Sequence, residues 1–162
     1  MPECGRNSFP SVQNHFLVEH VSILRSSYRS LGLGDLLADA PEDDRAVAHR
    51  LFDAPFALVS HDTAVDPIFN YGNRKALGLF AMDWDDFVAL PSRLSAEPVN
   101  QAERDRLLGE VRDLGYIADY QGIRIAANGQ RFLIERAVVW NLVSPQGDYY
   151  GQAAWFAKWR FL

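Results

Sequence analysis

The sequence predicts an α+β fold: a five-stranded antiparallel sheet with short helices on one face and two leading N-terminal helices. Three observations carry this. Before residue 54, apolar residues recur at helical spacing. In the last third, alternating apolar and polar residues are punctuated by turn signals. The connections within that third are too short for a parallel crossover, so its strands must pair antiparallel.

A first helix is predicted over 11–31. Leu17, Val21, Leu24, Tyr28 and Leu31 fall on one stripe, Ser11 can cap the start, and Gly32 and Gly34 mark the stop. A second is predicted over 42–53. Pro41 suits a first helical position, and Glu42, Asp43 and Asp44 lie at the positive end of the dipole. Val47, Ala48, Leu51 and Phe52 form its apolar face, and Pro55 ends it.

Residues 56–60 then read as a short buried strand and 67–71 as a second, rich in strand formers. A short helix at about 73–80 carries Ala76, Leu77 and Phe80. Asp83 caps another with Trp84 and Phe87, interrupted by Pro91. Asn100 and Glu103 have capping-box spacing ahead of a helix at 101–114, with Leu107, Leu108, Val111 and Leu114 facing inward. Strands are predicted over 116–126, 130–143 and 149–159. Asn128-Gly129 forms the first turn and Ser144 to Asp148 the second. The chain thus divides into a frayed segment 1–10, leading helices 11–54 and a sheet-bearing core 55–162.

Composition narrows the function classes. The 162 residues are 48% hydrophobic, enough for one ordinary core. A net charge of -5, from 21 acidic and 16 basic residues, argues against a general nucleic-acid partner. The single cysteine, Cys4, forms no disulfide framework or zinc set and reads as a bystander. No stretch approaches the roughly 20 apolar residues that cross a bilayer, and 1–10 does not resemble a secretory signal. The expected compartment is the cytoplasm.

The order strand, strand, helices, three strands resembles the PAS fold. Ile68 to Leu77 is similar to the PAS second strand and following helix, where Asn73 can act as N-cap. Ala126-Ala127-Asn128-Gly129 and Gln146 to Gly151 resemble the PAS hairpin and the lead into the last strand. More specifically, the chain resembles the MEKHLA domain, a PAS-like family found at the C-terminus of plant class III homeodomain–leucine-zipper transcription factors and as stand-alone bacterial and algal proteins. Ser60 to Thr63, Asp66 to Asn73, Leu90 to Glu97 and Ile134 to Asn141 carry that resemblance. With no homeodomain or zipper, the chain is similar to the stand-alone bacterial form. The resemblance implies a sensory or regulatory role.

No cofactor is expected from the residues. Light-sensing PAS domains of the LOV type hold a reactive cysteine where this chain has Ser92, and their amide positions align with Arg124, Ile134 and Phe156. A serine cannot replace the thiol nucleophile. A haem ligand is not expected among His15, His20, His49 and His61, and no metal site is expected. Ser60-His61-Asp62 contains triad residue types, but neighbours on a strand point to opposite faces. No phosphate loop, dinucleotide glycine motif or nucleophile elbow occurs, so no catalytic residue is assigned. If the fold served an enzyme, Ser92, His61 and Arg136 would be the first to test.

The predicted ligand pocket draws on His61, Asp62, Asn70, Asn73, Ser92, Arg93, Arg124, Ile134, Arg136, Trp140 and Phe156. Unbroken alternation along 130–141 places Phe132, Ile134, Arg136, Val138 and Trp140 on one face, so either Glu135 or Arg136 must point under the helices. That charge either forms an internal salt bridge with Asp62, Asp66, Glu97 or Arg93, or aims at a small anionic ligand, or lies exposed at a sheet interface. The stripe Leu17, Val21, Leu24, Tyr28 and Leu31 is either a homodimer seam or packing on the chain's own sheet. Trp84, Trp140, Trp155, Trp159, Tyr149, Tyr150 and Phe156 enrich the sheet in aromatics, a protein-partner surface if left uncovered.

Overall fold

The computed structural model describes residues 8–162. Cys4 and most of the segment expected to fray lie outside the described residues. Of that segment, Pro10 is buried, and Phe9 meets Phe52 and Trp84 edge-on at 5.5 and 6.1 Å.

The leading helix is shorter than predicted. A 3-10 turn occupies Val12–Leu17, and α1 spans Val18–Ser30. His15, Phe16 and Leu17 all have φ between 52° and 57°, which breaks the helix before the stripe begins. Phe16 is thereby laid flat on His49, ring centroids 4.0 Å apart, in α2 (Asp44–Phe52). Asp43 caps α2 by accepting from the Arg45 amide.

Two strands follow, β1 (Ala57–His61) and β2 (Phe69–Gly72), then α3 (Arg74–Phe80) and α4 (Trp84–Phe87). Asn73 caps α3: its side-chain oxygen accepts from the Ala76 and Leu58 amides, and its side-chain nitrogen donates to the Leu51 and Phe56 carbonyls. A 3-10 turn at Ser92–Ser95 leads to α5 (Pro98–Leu114), which begins with Pro98 in its first turn. Asn100 therefore lies inside the helix and forms no capping box with Glu103, and Leu114 ends it 71% exposed.

The strands β3 (Tyr116–Ile125), β4 (Arg131–Val143), β5 (Tyr149–Phe156) and β6 (Lys158–Phe161) complete the sheet. Its order is β2-β1-β5-β4-β3, antiparallel throughout, with β6 also paired to β4. The single final strand predicted over 149–159 is thus divided at Ala157. β6 prolongs the line of β5 along β4 in one continuous register, while on its other side β4 bulges against β3 at Arg136, whose φ is 53°.

Helix α1 covers one face of the sheet. Val21, Leu24 and Tyr28 are buried there, Tyr28 meets Trp140 edge-on at 4.9 Å, and the Trp140 indole donates to the Leu24 carbonyl at 3.2 Å. Helices α3 and α5 and the 3-10 turn at Ser92–Ser95 cover the other, where Phe80 packs on Phe132 and Leu107 and Val111 on Val139. Among the described residues, no helix is long and apolar enough to cross a membrane.

Candidate functional site

Between α5, α3 and the sheet lies a cavity of about 80 Å³. Phe69, Phe80, Leu107, Ile134, Val139 and Phe156 form its apolar walls; His61, Ser92, Arg104, Tyr120, Arg124 and Gln152 supply its polar groups. Small residues on β5, Ala153 and Ala154, also line it and leave room.

The polar groups form a chain whose donors and acceptors are fixed by its far end. The Gln152 side-chain nitrogen donates to the Leu108 carbonyl at 3.0 Å and to Asn141 Oδ1 at 3.2 Å, so its Oε1 is the acceptor facing His61 Nε2 at 3.1 Å. His61 Nε2 therefore carries the proton, and Nδ1 accepts from the Ser92 hydroxyl at 2.7 Å. The Ser92 oxygen in turn accepts from Arg104 at 2.5 Å. Burial, reinforced by the charge of Arg104, lowers His61 to about 4, so the ring is neutral at pH 7. Asn141 donates to the carbonyls of Val111 and Arg112, so two amide side chains clamp α5 to the sheet.

A second arginine enters from β3. Arg124 is 8% exposed, donates to the Tyr120 hydroxyl at 3.2 Å and lies over its ring. Tyr120 donates onward to Glu103 at 3.0 Å. Gly122 makes this possible: a Cβ there would sit 2.3 Å from the Tyr120 hydroxyl. Arg104 is 6% exposed; burial lowers its guanidinium from the usual range to about 10, with the Arg124 charge contributing, so it stays cationic at pH 7.

On the opposite face of β1, next to His61, Ser60 holds α1. The Ser60 hydroxyl donates to Asn70 at 2.5 Å and accepts from His20 Nε2 at 2.9 Å, while His20 Nδ1 faces the Tyr150 hydroxyl at 3.3 Å. Burial lowers His20 to about 4.

The profile of the MEKHLA domain matches residues 18–161, nearly the whole chain, leaving out its first 17 residues and its last. The chain belongs to the MEKHLA domain family. Solved structures share the fold of this MEKHLA domain. The PAS domain of a Colwellia psychrerythraea protein superposes with a TM-score of 0.59 at 14% identity, over 71% of this chain and 92% of that one. A light-oxygen-voltage domain described with a flavin analogue gives 0.56 at 12%, over 72% and 83%. The light-state dimer of the fungal blue-light photoreceptor Vivid gives 0.56 at 10%, over 98% and 100%. At these identities the likeness establishes the fold, a PAS-type α+β architecture. No curated protein sequence matches the chain. The family and fold support a sensory or regulatory module. The expectation of no cofactor is overturned by these neighbours, since the fold is that of light-oxygen-voltage domains, one of them described with a flavin analogue.

The MEKHLA structure brings together five of the predicted pocket residues: His61, Ser92, Arg124, Ile134 and Phe156. Others lie elsewhere. Asn73 is the buried cap of α3, Asn70 bonds Ser60 on the α1 side, and Asp62 accepts from the Ala64 and Ile68 amides in its own turn. Arg93 is exposed and pairs with Asp66 at 3.1 Å. Trp140 faces α1, not the cavity.

Arg136 is corrected for a specific reason. The β4 bulge shifts the alternation, so Ile134 shares the cavity face with Ala137 and Val139 while Trp140 turns away. Arg136 is exposed, and Glu135 pairs with Arg160 at 2.5 Å and Lys158 at 3.6 Å on β6; neither charge passes under the helices. Of the two readings of the Leu17–Leu31 stripe, the structure shows packing on the chain's own sheet. Val21, Leu24 and Tyr28 are buried on the chain's own sheet, and Leu17 lies before the helix as its N-cap.

Arg104, Tyr120 and Gln152 were absent from the predicted pocket. Arg104 did carry a signal, since it extends the buried stripe of Leu107 and Val111 by one more helical step.

Proposed function

We propose that this MEKHLA domain is a ligand-responsive sensor in which occupancy of the cavity is passed through β1 to the docking of α1. The observation that supports it is the adjacency of Ser60 and His61. His61 belongs to the hydrogen-bond chain of the cavity, and its neighbour Ser60 holds His20 of α1 across the sheet. A small movement of β1 would change both networks at once, and the reading requires of α1 a second, released state beside the docked one. The output passes through α1 leaving or keeping its own sheet, not through a coiled-coil seam.

Flavin belongs among the candidate occupants. The cavity offers it amide and guanidinium groups, but at about 80 Å³ it is smaller than the roughly 300 Å³ at the lower end of small-molecule sites. A flavin ring would enter only with outward movement of α5.

Native mass spectrometry and an absorption spectrum of freshly purified protein identify any co-purifying occupant, including flavin. The coupling is tested by amide hydrogen exchange across 18–30 after Ser92→Ala, which cuts the cavity chain without touching α1. The expected result is altered protection in α1, with Arg93→Ala, an exposed neighbour, leaving it unchanged. Identical α1 exchange in both variants and in the unmodified chain would sink the proposed route.

A further inference from the structure

Resting on the sensor reading, we propose that the cavity binds a small organic monocarboxylate, its carboxylate held between Arg104 and Arg124 and its short apolar body against Phe69, Phe80 and Phe156.

Two guanidinium groups, both nearly fully buried, line one cavity. Like charges in such a place are costly unless paired, since each is withdrawn from water. Among the described residues, the pairing they find is thin. Arg104 reaches Asp105 at 3.4 Å, but that side chain is 70% exposed and sits at the rim. Arg124 reaches a carboxylate, Glu103, only through the Tyr120 hydroxyl. Their other acceptors are neutral: the Ser92 oxygen for Arg104, the Ile123 carbonyl for Arg124. Each guanidinium carries five N–H donors, so donors remain for an incoming oxygen pair.

The charge count selects a monoanion. Two buried arginines set against one half-buried Glu103 leave one positive charge over, with Asp105 screened by water. His61 adds none, because its Nδ1 is occupied as an acceptor. Size and walls select the rest. A cavity of about 80 Å³ admits a compact molecule, and most of its lining is aromatic or aliphatic, so an inorganic oxyanion would leave those walls unfilled. An arginine fork also matches a planar carboxylate better than a point charge would.

The test is thermal unfolding of the whole chain at matched ionic strength with propionate, benzoate, their uncharged amides, and inorganic phosphate. At ten times its Kd, a bound carboxylate should raise the Tm by about 3–5 °C. The amides and phosphate should leave it unchanged. Arg124→Met should abolish the shift while retaining the far-UV spectrum. Arg104→Met should abolish it too and raise the ligand-free Tm, because a buried charge without a full partner has been replaced by an apolar side chain. The inference is overturned if neither acid shifts the unmodified chain, if amides or phosphate protect as well as the acids, or if both methionine variants keep the full shift. A carboxylate that binds and leaves α1 exchange unchanged preserves this site and removes the sensor route. A neutral ligand that binds and alters α1 exchange does the reverse.

Discussion

The two faces of the sheet are both covered by helices, under opposite rules. On the α1 face, Trp140, Leu24 and Tyr28 interlock, and the polar groups of His20, Ser60 and Asn70 satisfy one another without a net charge. On the α5 face, a cavity remains and two cationic side chains are enclosed beside it. The first face has the form of a structure optimised for packing. The second keeps void and charge that a core would normally eliminate, and departures of that kind concentrate at functional sites. β1 belongs to both, since its consecutive residues serve one face each.

The largest test of the contrast is Trp140→Ala. Removing the indole should cost about 3–5 kcal/mol, the usual range for an aromatic taken from a packed core. Denaturant unfolding reads that loss, and hydrogen exchange should show α1 released first. An equal loss from Phe156→Ala, on the cavity wall, would erase the difference in packing between the faces.

Acid is the next largest. His20 and His61 are both lowered to about 4 from 6.5, so the unfolded chain binds more protons than the folded one between those values. The stability tied to their neutral rings is full above pH 6.5 and is lost as pH falls towards 4, by about 3 kcal/mol for each histidine. Denaturant midpoints at pH 7.5 and 4.5 measure the sum. His20→Gln should remove the part belonging to the α1 face. Arg104→Met should shrink the part belonging to His61, because one cause of its depression is gone, and leave that of His20 intact.

Tyr71 supplies a smaller effect. It is fully buried on the α1 face, beside His20 and Trp84, and its hydroxyl has no hydrogen-bond partner among the described residues. Tyr71→Phe should raise stability by about 1 kcal/mol, since it deletes an uncompensated polar atom and keeps the ring. A loss on that substitution would mean that the face is less fully satisfied by its own groups than by a bound water. The smallest is Arg93→Ala. Its pair with Asp66 is about half exposed on both sides, so the change should be within about 0.5 kcal/mol.

Much of the fold was legible in the residues. Asn73 and Asp83 are short-range caps and act where their spacing places them. Asn128-Gly129 turns β3 into β4, with Gly129 at φ 85°, because a tight turn is decided by the residues within it. The site was legible only in part. His61 and Ser92 were marked by type and place, and the structure sets them 2.7 Å apart. Arg136 was marked by counting along a strand, and the count failed at the bulge.

Sequence alone therefore determined the element order, the caps, the turns and the antiparallel meander, because each depends on groups within a few residues of one another. Tertiary structure decided which arginines are buried, which face Trp140 occupies and where the α1 stripe is spent. The placement of Trp140 and of Arg136 depends on the register of β4 against β3. One extra residue on β4 against β3, at Arg136, turns every side chain of β4 beyond it to the other face, and only the pairing of the two strands shows that it is there.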